Sequence, residues 1–223
     1  MQNIADNLTQ VRRLIQQSAQ EAGRNPSDIT LLAVSKTKSP EEIEAAYAAG
    51  QRDFGENYVQ EALEKIAVLQ HPDLVWHFIG PVQSNKTRDI AQHFHWVHTV
   101  DRLKIAERLN QQRPPHLPPL QVCIQVNIDA DQAKSGCRPT ETAVLAEAIR
   151  RLPRLRLRGL MAIPKEGCGA QPFRDLAQLA QELRHDGITL DTLSMGMSGD
   201  MALALAEGAT IVRVGTAIFG ARS

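Results

Sequence analysis

The chain has 223 residues, with 25 Lys and Arg, 25 Asp and Glu, and a formal net charge of zero. This balance provides no electrostatic attraction to nucleic acid or to an anionic membrane, so we expect neither as a partner. Three cysteines without a CxxC pair argue against a disulfide framework and a cysteine zinc site. The first residues contain no apolar signal region and no apolar stretch approaches membrane-spanning length, which predicts a soluble, cytoplasmic protein.

Segments with strand and helix patterns alternate along the chain. The first is an amphipathic helix over 3–22, with Ile4, Leu8, Val11 and Ile15 at helical spacing. Short apolar runs predict eight strands, at Leu31–Ser35, Arg52–Gly55, Val75–Gly80, Trp96–Val100, Gln121–Asn127, Leu157–Ile163, Thr192–Met195 and Thr210–Val214. Helices are predicted at 41–49, 58–70, 84–94, 102–112, 140–151, 171–186 and 200–207. This order predicts an α/β fold, a (β/α)8 TIM barrel, as one domain over residues 1–223.

The predicted barrel has an unusual C-terminal end and a Pro-rich connection. The chain stops soon after the eighth strand, which leaves no room for the usual last helix, so we expect the helix at 3–22 to close that side. The Pro-rich stretch Arg113–Pro119 joins a helix to a strand and is predicted to be a stiff loop at the barrel's N-terminal face.

No metal site is predicted, because the clustered histidines, His93, His95 and His98, have no carboxylate nearby.

Lys36 lies where chemistry is expected in such a barrel. It directly follows the apolar run Thr30–Ser35, and Pro40 opens a helix after a short turn. The carboxyl ends of the strands carry the active sites of TIM barrels. A partly desolvated amine at this position is a candidate Schiff-base nucleophile, whereas a solvated loop lysine is the alternative.

Glycine-bearing turns follow the seventh and eighth predicted strands, where barrels often bind phosphate. Ser198 precedes Gly199 and Asp200 at a helix start, and Gly215 with Thr216 allows backbone amides to approach an anion closely. Each turn is therefore a candidate phosphate site, with ordinary helix capping as the alternative.

Arg213 interrupts the otherwise apolar eighth strand. If Ile211 points into the barrel, the two-residue period of a strand points Arg213 inward as well. A buried guanidinium must be paired or hydrogen-bonded, and no acid on a neighbouring strand is an obvious partner. An acceptor atom of a ligand would serve.

Seven segments resemble a known family and stand in the family's order. They are Leu32–Lys36, Phe54–Tyr58, Trp76–Gly80, Gln83–Lys86, Gly159–Met161, Ser194–Ser198 and Arg213–Gly220. Together they resemble the pyridoxal-phosphate homeostasis proteins, single-domain relatives of the alanine-racemase type of barrel. The resemblance runs nearly end to end. It implies a PLP fold type III barrel with an extra N-terminal helix and no C-terminal β domain.

The resemblance also implies a cofactor, pyridoxal 5'-phosphate (PLP), and the residues that hold it. Lys36 would carry PLP as an internal aldimine, and Arg213 would donate to the pyridine nitrogen. The other implied binding residues are Ser198, Gly215 and Thr216 at the phosphate and Asn57 close to the cofactor.

Two residues add detail to this resemblance. Gly199 is a departure, because relatives often have an acidic residue there, and it is expected to affect the helix start more than the cofactor. Lys134 lies after the fifth predicted strand in a Lys-x-Gly segment that relatives share. It is either a solvated loop lysine or a group that assists the loading or release of PLP.

The favoured function is intracellular PLP homeostasis, in which the protein stores, buffers or delivers the cofactor to apo PLP enzymes without robust turnover. A PLP-dependent amino-acid racemase is the alternative. Racemisation usually needs an acid–base group on each face of the cofactor, and alanine racemase takes one from a second domain. A guanidinium, with a pKa above about 12, also cannot accept the pyridine proton. A Schiff-base aldolase would explain Lys36 but not an inward Arg213. Without a second domain, we expect a monomer.

Overall fold

The computed structural model describes residues 3–221 and shows a closed barrel of eight parallel strands. The strands are β1 (Thr30–Val34), β2 (Asp53–Glu56), β3 (Val75–Phe78), β4 (Trp96–Val100), β5 (Leu120–Gln125), β6 (Leu155–Met161), β7 (Thr192–Ser194) and β8 (Ile211–Val214). Each strand pairs with the next in chain order and β8 pairs with β1, so the sheet has no free edge. The predicted (β/α)8 barrel is confirmed.

Helices surround the barrel and connect its strands. They are α1 (Ile4–Glu21), α2 (Pro40–Ala48), α3 (Val59–Val68), α4 (Thr87–His93), α5 (Leu103–Gln112), α6 (Thr142–Ile149), α7 (Gln171–His185), α8 (Met201–Ala206) and α9 (Thr216–Phe219). Short 3-10 turns lie at Pro26–Asp28, Ser84–Lys86 and Pro139–Glu141. Most predicted bounds differ from these by one to three residues, as expected where element ends fray. Within residues 3–221, no helix is both long and apolar enough to cross a bilayer.

The last strand is followed by a helix that the sequence analysis did not predict. The one-turn α9 follows β8 directly, and α1 packs against both α8 and α9. The side-chain amide of Asn7 on α1 donates to the carbonyl oxygen of Ile218 at 2.8 Å. The expectation that the first helix closes this side of the barrel is therefore confirmed.

The start of α2 determines how long the turn after β1 can be. Ser39 is the N-cap, its hydroxyl accepts from the Glu42 backbone N–H, and the Glu42 carboxylate accepts from the Ser39 N–H. Pro40 occupies the first helical position, where its missing N–H costs nothing. This capping box leaves only residues 35–38 between β1 and the cap, so the turn that carries Lys36 is short.

The barrel separates an apolar outer layer from a largely polar interior. Outward residues of the strands join the helices in one large core, whereas a small cluster of Leu32, Ile79 and Ile211 lies inside the barrel. The other interior positions include Asp53, His77, His98, Ser194 and Arg213, which are hydrogen-bonded to one another in sequence along the interior.

A close approach of β6 to β7 makes Gly159 a position with no space for a side chain. A Cβ atom there would lie 1.7 Å from the carbonyl oxygen of Thr192.

We expect Gly159→Ala to lower the free energy of unfolding by about 3 kcal/mol, because strand backbones must separate. Urea denaturation measures this loss. Gly199→Ala is the control, since nothing lies within 4 Å of its Cβ position; equal stability of the two variants would contradict the packing.

Candidate functional site

The barrel closure brings the predicted site residues to one mouth, the end formed by the carboxyl ends of the strands. Lys36 follows β1 and Asn57 follows β2, while Gly215 follows β8. A Cβ atom on Gly215 would lie 3.3 Å from the carbonyl oxygen of Val34, so the ends of β8 and β1 are in contact. The Arg213 N–H donates to the Gly196 carbonyl oxygen at 2.9 Å and holds the turn after β7 against β8.

Lys36 differs sharply from its neighbour Lys38. The Lys38 amine donates to the carbonyl oxygens of Phe219 and Ala221 at 3.2 and 3.3 Å. The half-buried Lys36 amine has no hydrogen-bond or ion-pair partner in the described range 3–221. Of these two lysines, Lys36 is therefore the one whose amine is available to a ligand at the mouth.

The turn that carries Lys36 is held from behind by α3. Thr37 has a positive φ of 63°, an uncommon conformation for a residue other than glycine. Its N–H donates to Glu61 Oε1 at 2.5 Å, and the Lys65 amine donates to the same oxygen and to the Ser35 carbonyl oxygen at 2.7 Å. The residues on both sides of Lys36 are thus fixed by two side chains of one helix.

A buried ion pair lies at the centre of this support. Lys65 Nζ lies 2.8 Å from Glu56 Oε1, and the two side chains are 4% and 0% exposed. The Ser35 hydroxyl donates to the same carboxylate oxygen at 2.7 Å, while Glu56 Oε2 has no partner in the described part of the chain. Burial raises the pKa of Glu56, and the charge of Lys65 opposes that rise. Removing Lys65 would leave Glu56 as an uncompensated buried charge, whereas Lys65 also has Glu61 as a partner.

We expect Lys65→Met to lower the free energy of unfolding by about 3–5 kcal/mol, because Glu56 would keep its buried position without a cation. Denaturant unfolding at neutral pH measures the change. Arg174→Met is the matched control, because Arg174 is 58% exposed in its ion pair with Glu207 and should cost less than about 1 kcal/mol. Similar losses in both variants would show that Lys65 does not carry the buried charge pairing.

Arg213 lies inside the barrel, as the alternation of β8 predicts, and is 5% exposed. The sequence suggested an acceptor atom of a ligand as its partner, whereas the structure shows two neutral acceptors of the protein itself. Its Nη1 donates to Ser194 Oγ at 2.8 Å and its Nη2 to the Ala162 carbonyl oxygen at 2.9 Å. Burial lowers the pKa of Arg213 to about 10, so it remains cationic at neutral pH. A guanidinium has five N–H donors, so three remain for a ligand.

The two predicted phosphate turns lie next to each other and present unpaired backbone donors. The N–H groups of Ser198 and Gly199, and those of Gly215 and Thr216, donate to no acceptor within residues 3–221. The neighbouring Met197 N–H is already bound to Asp200 Oδ1 at 2.6 Å. The exposed turns can therefore hydrogen-bond an anion without first losing a protein contact.

Asn57 supplies a polar group that the protein leaves unsatisfied. Its Oδ1 is buried and has no hydrogen-bond partner among the described residues. The side chain lines a cavity of about 210 Å³ together with Gln125, Asn127 and Lys134. Buried polar atoms are almost always paired in folded proteins, so a ligand that fills this cavity would complete the amide's hydrogen bonding.

Lys134 lies at the same mouth but is tethered. Its amine donates to Asp129 Oδ2 and to the Ile163 carbonyl oxygen, both at 2.9 Å. It therefore bridges the segments that follow β5 and β6, on the rim of the cavity that Asn57 lines. Its role in loading or release stays a prediction.

Comparison with known proteins decides the family. The chain matches the family described as alanine racemase, N-terminal domain, over residues 1–223. The pyridoxal phosphate homeostasis protein of Pseudomonas aeruginosa is 57% identical over 223 residues, which are 100% of this chain and 97% of that protein. The chain therefore belongs to the family of pyridoxal phosphate homeostasis proteins. The homeostasis protein of Escherichia coli strain K12 is 55% identical over 229 residues, which cover 100% and 98% of the two chains.

Solved structures agree with this assignment. PipY of Synechococcus elongatus, solved without PLP, has a TM-score of 0.86 at 40% identity, covering 97% of this chain and all of that one. PipY with PLP bound has a TM-score of 0.84 at 39% identity, with the same coverage. Alanine racemase of Clostridium difficile has a TM-score of 0.78 at 14% identity, over 98% of this chain and 56% of that chain, which shows the shared fold alone. The resemblance inferred from the seven segments is confirmed.

Apart from Arg213, the polar residues inside the barrel of this family member were not predicted from the sequence. His77, His98 and Ser194 are buried and hydrogen-bonded there, whereas only His98 was considered, as part of a histidine cluster. The structure disperses that cluster, and residues 3–221 contain no group of three or more potential metal ligands. Polar residues at inward positions of apolar strands, such as His77 between Trp76 and Phe78, were the available indication.

Proposed function

We propose that this protein binds PLP at the barrel mouth through a Schiff base with Lys36 and takes part in intracellular PLP homeostasis. It would store or buffer the cofactor, or deliver it to apo PLP enzymes. The observation that carries the proposal is the unpartnered Lys36 amine, next to unpaired backbone donors and above an inward arginine. The proposal is supported by PipY, which is 39% identical and whose structure contains PLP.

The residues at the mouth fit the chemical groups of PLP. An aldehyde needs an amine, and Lys36 offers one. A phosphate needs several N–H donors, which Ser198, Gly215 and Thr216 supply from adjacent turns. The pyridine nitrogen needs a donor, and Arg213 retains three. The Oδ1 atom of Asn57 is buried without a partner. Because oxygen and nitrogen of an amide can exchange places by rotation, Asn57 can present either atom to the ligand.

The guanidinium of Arg213 determines which chemistry this site favours. Bound PLP supplies a reactive carbonyl and an electron-withdrawing ring. A cation at the ring nitrogen disfavours its protonation, and an unprotonated ring withdraws electrons less strongly. Within residues 3–221 no carboxylate contacts Arg213 that could reverse this effect. The site is therefore suited to hold and release the cofactor rather than to stabilise carbanions, which disfavours the racemase alternative.

We expect Lys36→Ala to abolish the long-wavelength absorption of bound PLP and the covalent adduct that borohydride reduction would leave. Lys38→Ala is the matched control, because the Lys38 amine is bound to the carbonyl oxygens of Phe219 and Ala221 and its loss should leave spectrum and adduct unchanged. Absorbance and intact mass measure both variants. An undiminished adduct in Lys36→Ala would place the Schiff base on another lysine.

We expect Arg213→Glu to raise the pKa of the pyridine nitrogen of bound PLP and to permit slow transamination of added alanine. PLP affinity should fall, because the new carboxylate would lie near the Ala162 carbonyl oxygen, where it has no donor. The pH dependence of the spectrum and pyruvate release measure the two effects. Arg213→Gln controls for the loss of the cation alone. Unchanged affinity and pH dependence in a folded Arg213→Glu variant would show that Arg213 does not face PLP.

A further inference from the structure

A continuous hydrogen-bonded chain crosses the barrel interior from Arg213 to Asp53. Ser194 Oγ lies 2.8 Å from Arg213 Nη1 and 2.7 Å from His98 Nδ1. His98 Nε2 lies 2.9 Å from His77 Nδ1, and His77 Nε2 lies 2.9 Å from Asp53 Oδ1. Four strands besides β8 lie along this route, and every link is within normal hydrogen-bond length.

The two ends of this chain, together with neutral histidine rings, determine the direction of every hydrogen bond in it. Arg213 can only donate, and the Asp53 carboxylate can only accept. The Ser194 oxygen therefore accepts from Arg213, and its proton is directed to His98 Nδ1. His98 must then donate from Nε2 to His77 Nδ1, and His77 must donate from Nε2 to Asp53. With both rings neutral, this is the one arrangement of protons that satisfies all four links.

That arrangement requires both histidines to be neutral. A second proton on His77 would place two N–H groups face to face at its link to His98, and a second proton on His98 would place an N–H group against the Ser194 O–H. Burial lowers the pKa of His77, opposed by its hydrogen bond to Asp53, and burial holds the pKa of His98 well below its usual range. The His77 ring is also packed against Trp96, which stacks on it with ring centres 5.4 Å apart.

The far end of the chain lies at the opposite face of the barrel from Lys36. Asp53 is the first residue of β2, its side chain is 29% exposed, and it lines a cavity of about 520 Å³ with Arg12 and Arg52. The other titratable groups that act on members of the chain are His95, Cys123 and Asp200, while Arg113, Arg158 and Asp191 lie next to His95 or Cys123. None of these six is hydrogen-bonded to a side chain of the chain's five members.

We propose that Asp53, His77 and His98 are positioning residues for the cofactor, which act through Ser194 on the orientation of the Arg213 guanidinium. The inference rests on the proposed function, because it takes Arg213 to be the donor to the pyridine nitrogen. It adds that a carboxylate at the far end of the barrel influences how PLP is held. Since each link depends on the next, a change at Asp53 alters the hydrogen bonding of Arg213 without contacting the cofactor.

The first test uses the protein without PLP and needs no variant. Nitrogen-15 spectra of the histidine rings identify the protonated nitrogen of each ring. The chain requires His77 and His98 to carry their proton on Nε2 and to stay neutral between about pH 6 and pH 8, where an ordinary histidine titrates. A proton on Nδ1 of either ring, or a charged ring in this range, would overturn the proposal.

The second test compares variants along the chain. Asp53→Asn keeps the shape but can donate as well as accept, so the direction of the chain is no longer fixed. His98→Asn keeps an acceptor for Ser194 but removes the donor to His77, and His98→Phe removes both. Asp191→Asn is the matched control, because Asp191 is a carboxylate that binds Arg158 outside the chain, at 2.8 Å.

We expect the Arg213 side-chain nitrogen resonances of the unloaded protein to shift in Asp53→Asn and not in Asp191→Asn. In the loaded protein the pyridine nitrogen resonance of labelled PLP should shift in the same variants. The Kd for PLP should rise about threefold in Asp53→Asn and His98→Asn and about tenfold in His98→Phe. Identical Arg213 resonances in Asp53→Asn and Asp191→Asn would overturn the chain. Shifts at Arg213 with no shift at the pyridine nitrogen would instead keep the chain and contradict Arg213 as the cofactor's donor.

Discussion

The pairing of β1 with β8 is the contact on which the candidate site depends. It closes the barrel, sets Leu32 opposite Arg213 in register, and brings Gly215 against the end of β1. Lys36 and the donors of the last turn come from opposite ends of the chain, so no local segment could assemble them. A closed parallel sheet also directs the carboxyl ends of all strands to one mouth, which is why residues so distant in sequence can surround one ligand.

Buried charges support this mouth from both sides of the barrel wall. Inside the wall, Arg213 is held by a hydroxyl and a carbonyl oxygen rather than by a carboxylate, so its charge is available to a ligand. Outside the wall, Lys65 is neutralised by Glu56 and Glu61 and holds the backbone around Lys36. The charge of Arg213 can therefore act on a ligand, whereas the charge of Lys65 stabilises the scaffold. This division follows from partner type, because a carboxylate contact neutralises a cation and a neutral acceptor does not.

The parts of the mouth differ in burial. Lys36 and Arg213 stand at or next to strands whose neighbours are buried and hydrogen-bonded, whereas Ser198 is exposed in a turn. Lys134 bridges two further segments through hydrogen bonds that can exchange with solvent. The mouth therefore has a buried floor and a more exposed rim, as the proposed holding and release of a cofactor would require. An enzyme that stabilises a transition state would need preorganised groups over the reacting atoms as well.

The sequence by itself determined the barrel, its strand order and the positions of Lys36, Ser198, Gly215 and Thr216 after strand ends, because apolar runs, turns and helix caps are local patterns. Asn57 followed from the family resemblance. The sequence also predicted an inward Arg213 from alternation along one strand. Only the tertiary structure decided what that arginine contacts, since Ser194, His98, His77 and Asp53 lie on four other strands and their approach depends on register and barrel closure. For the same reason the role of Lys65 could not be predicted from the sequence. A lysine on an amphipathic helix is normally expected to be solvated, and only the packing of the helix on the strands shows that this one is buried.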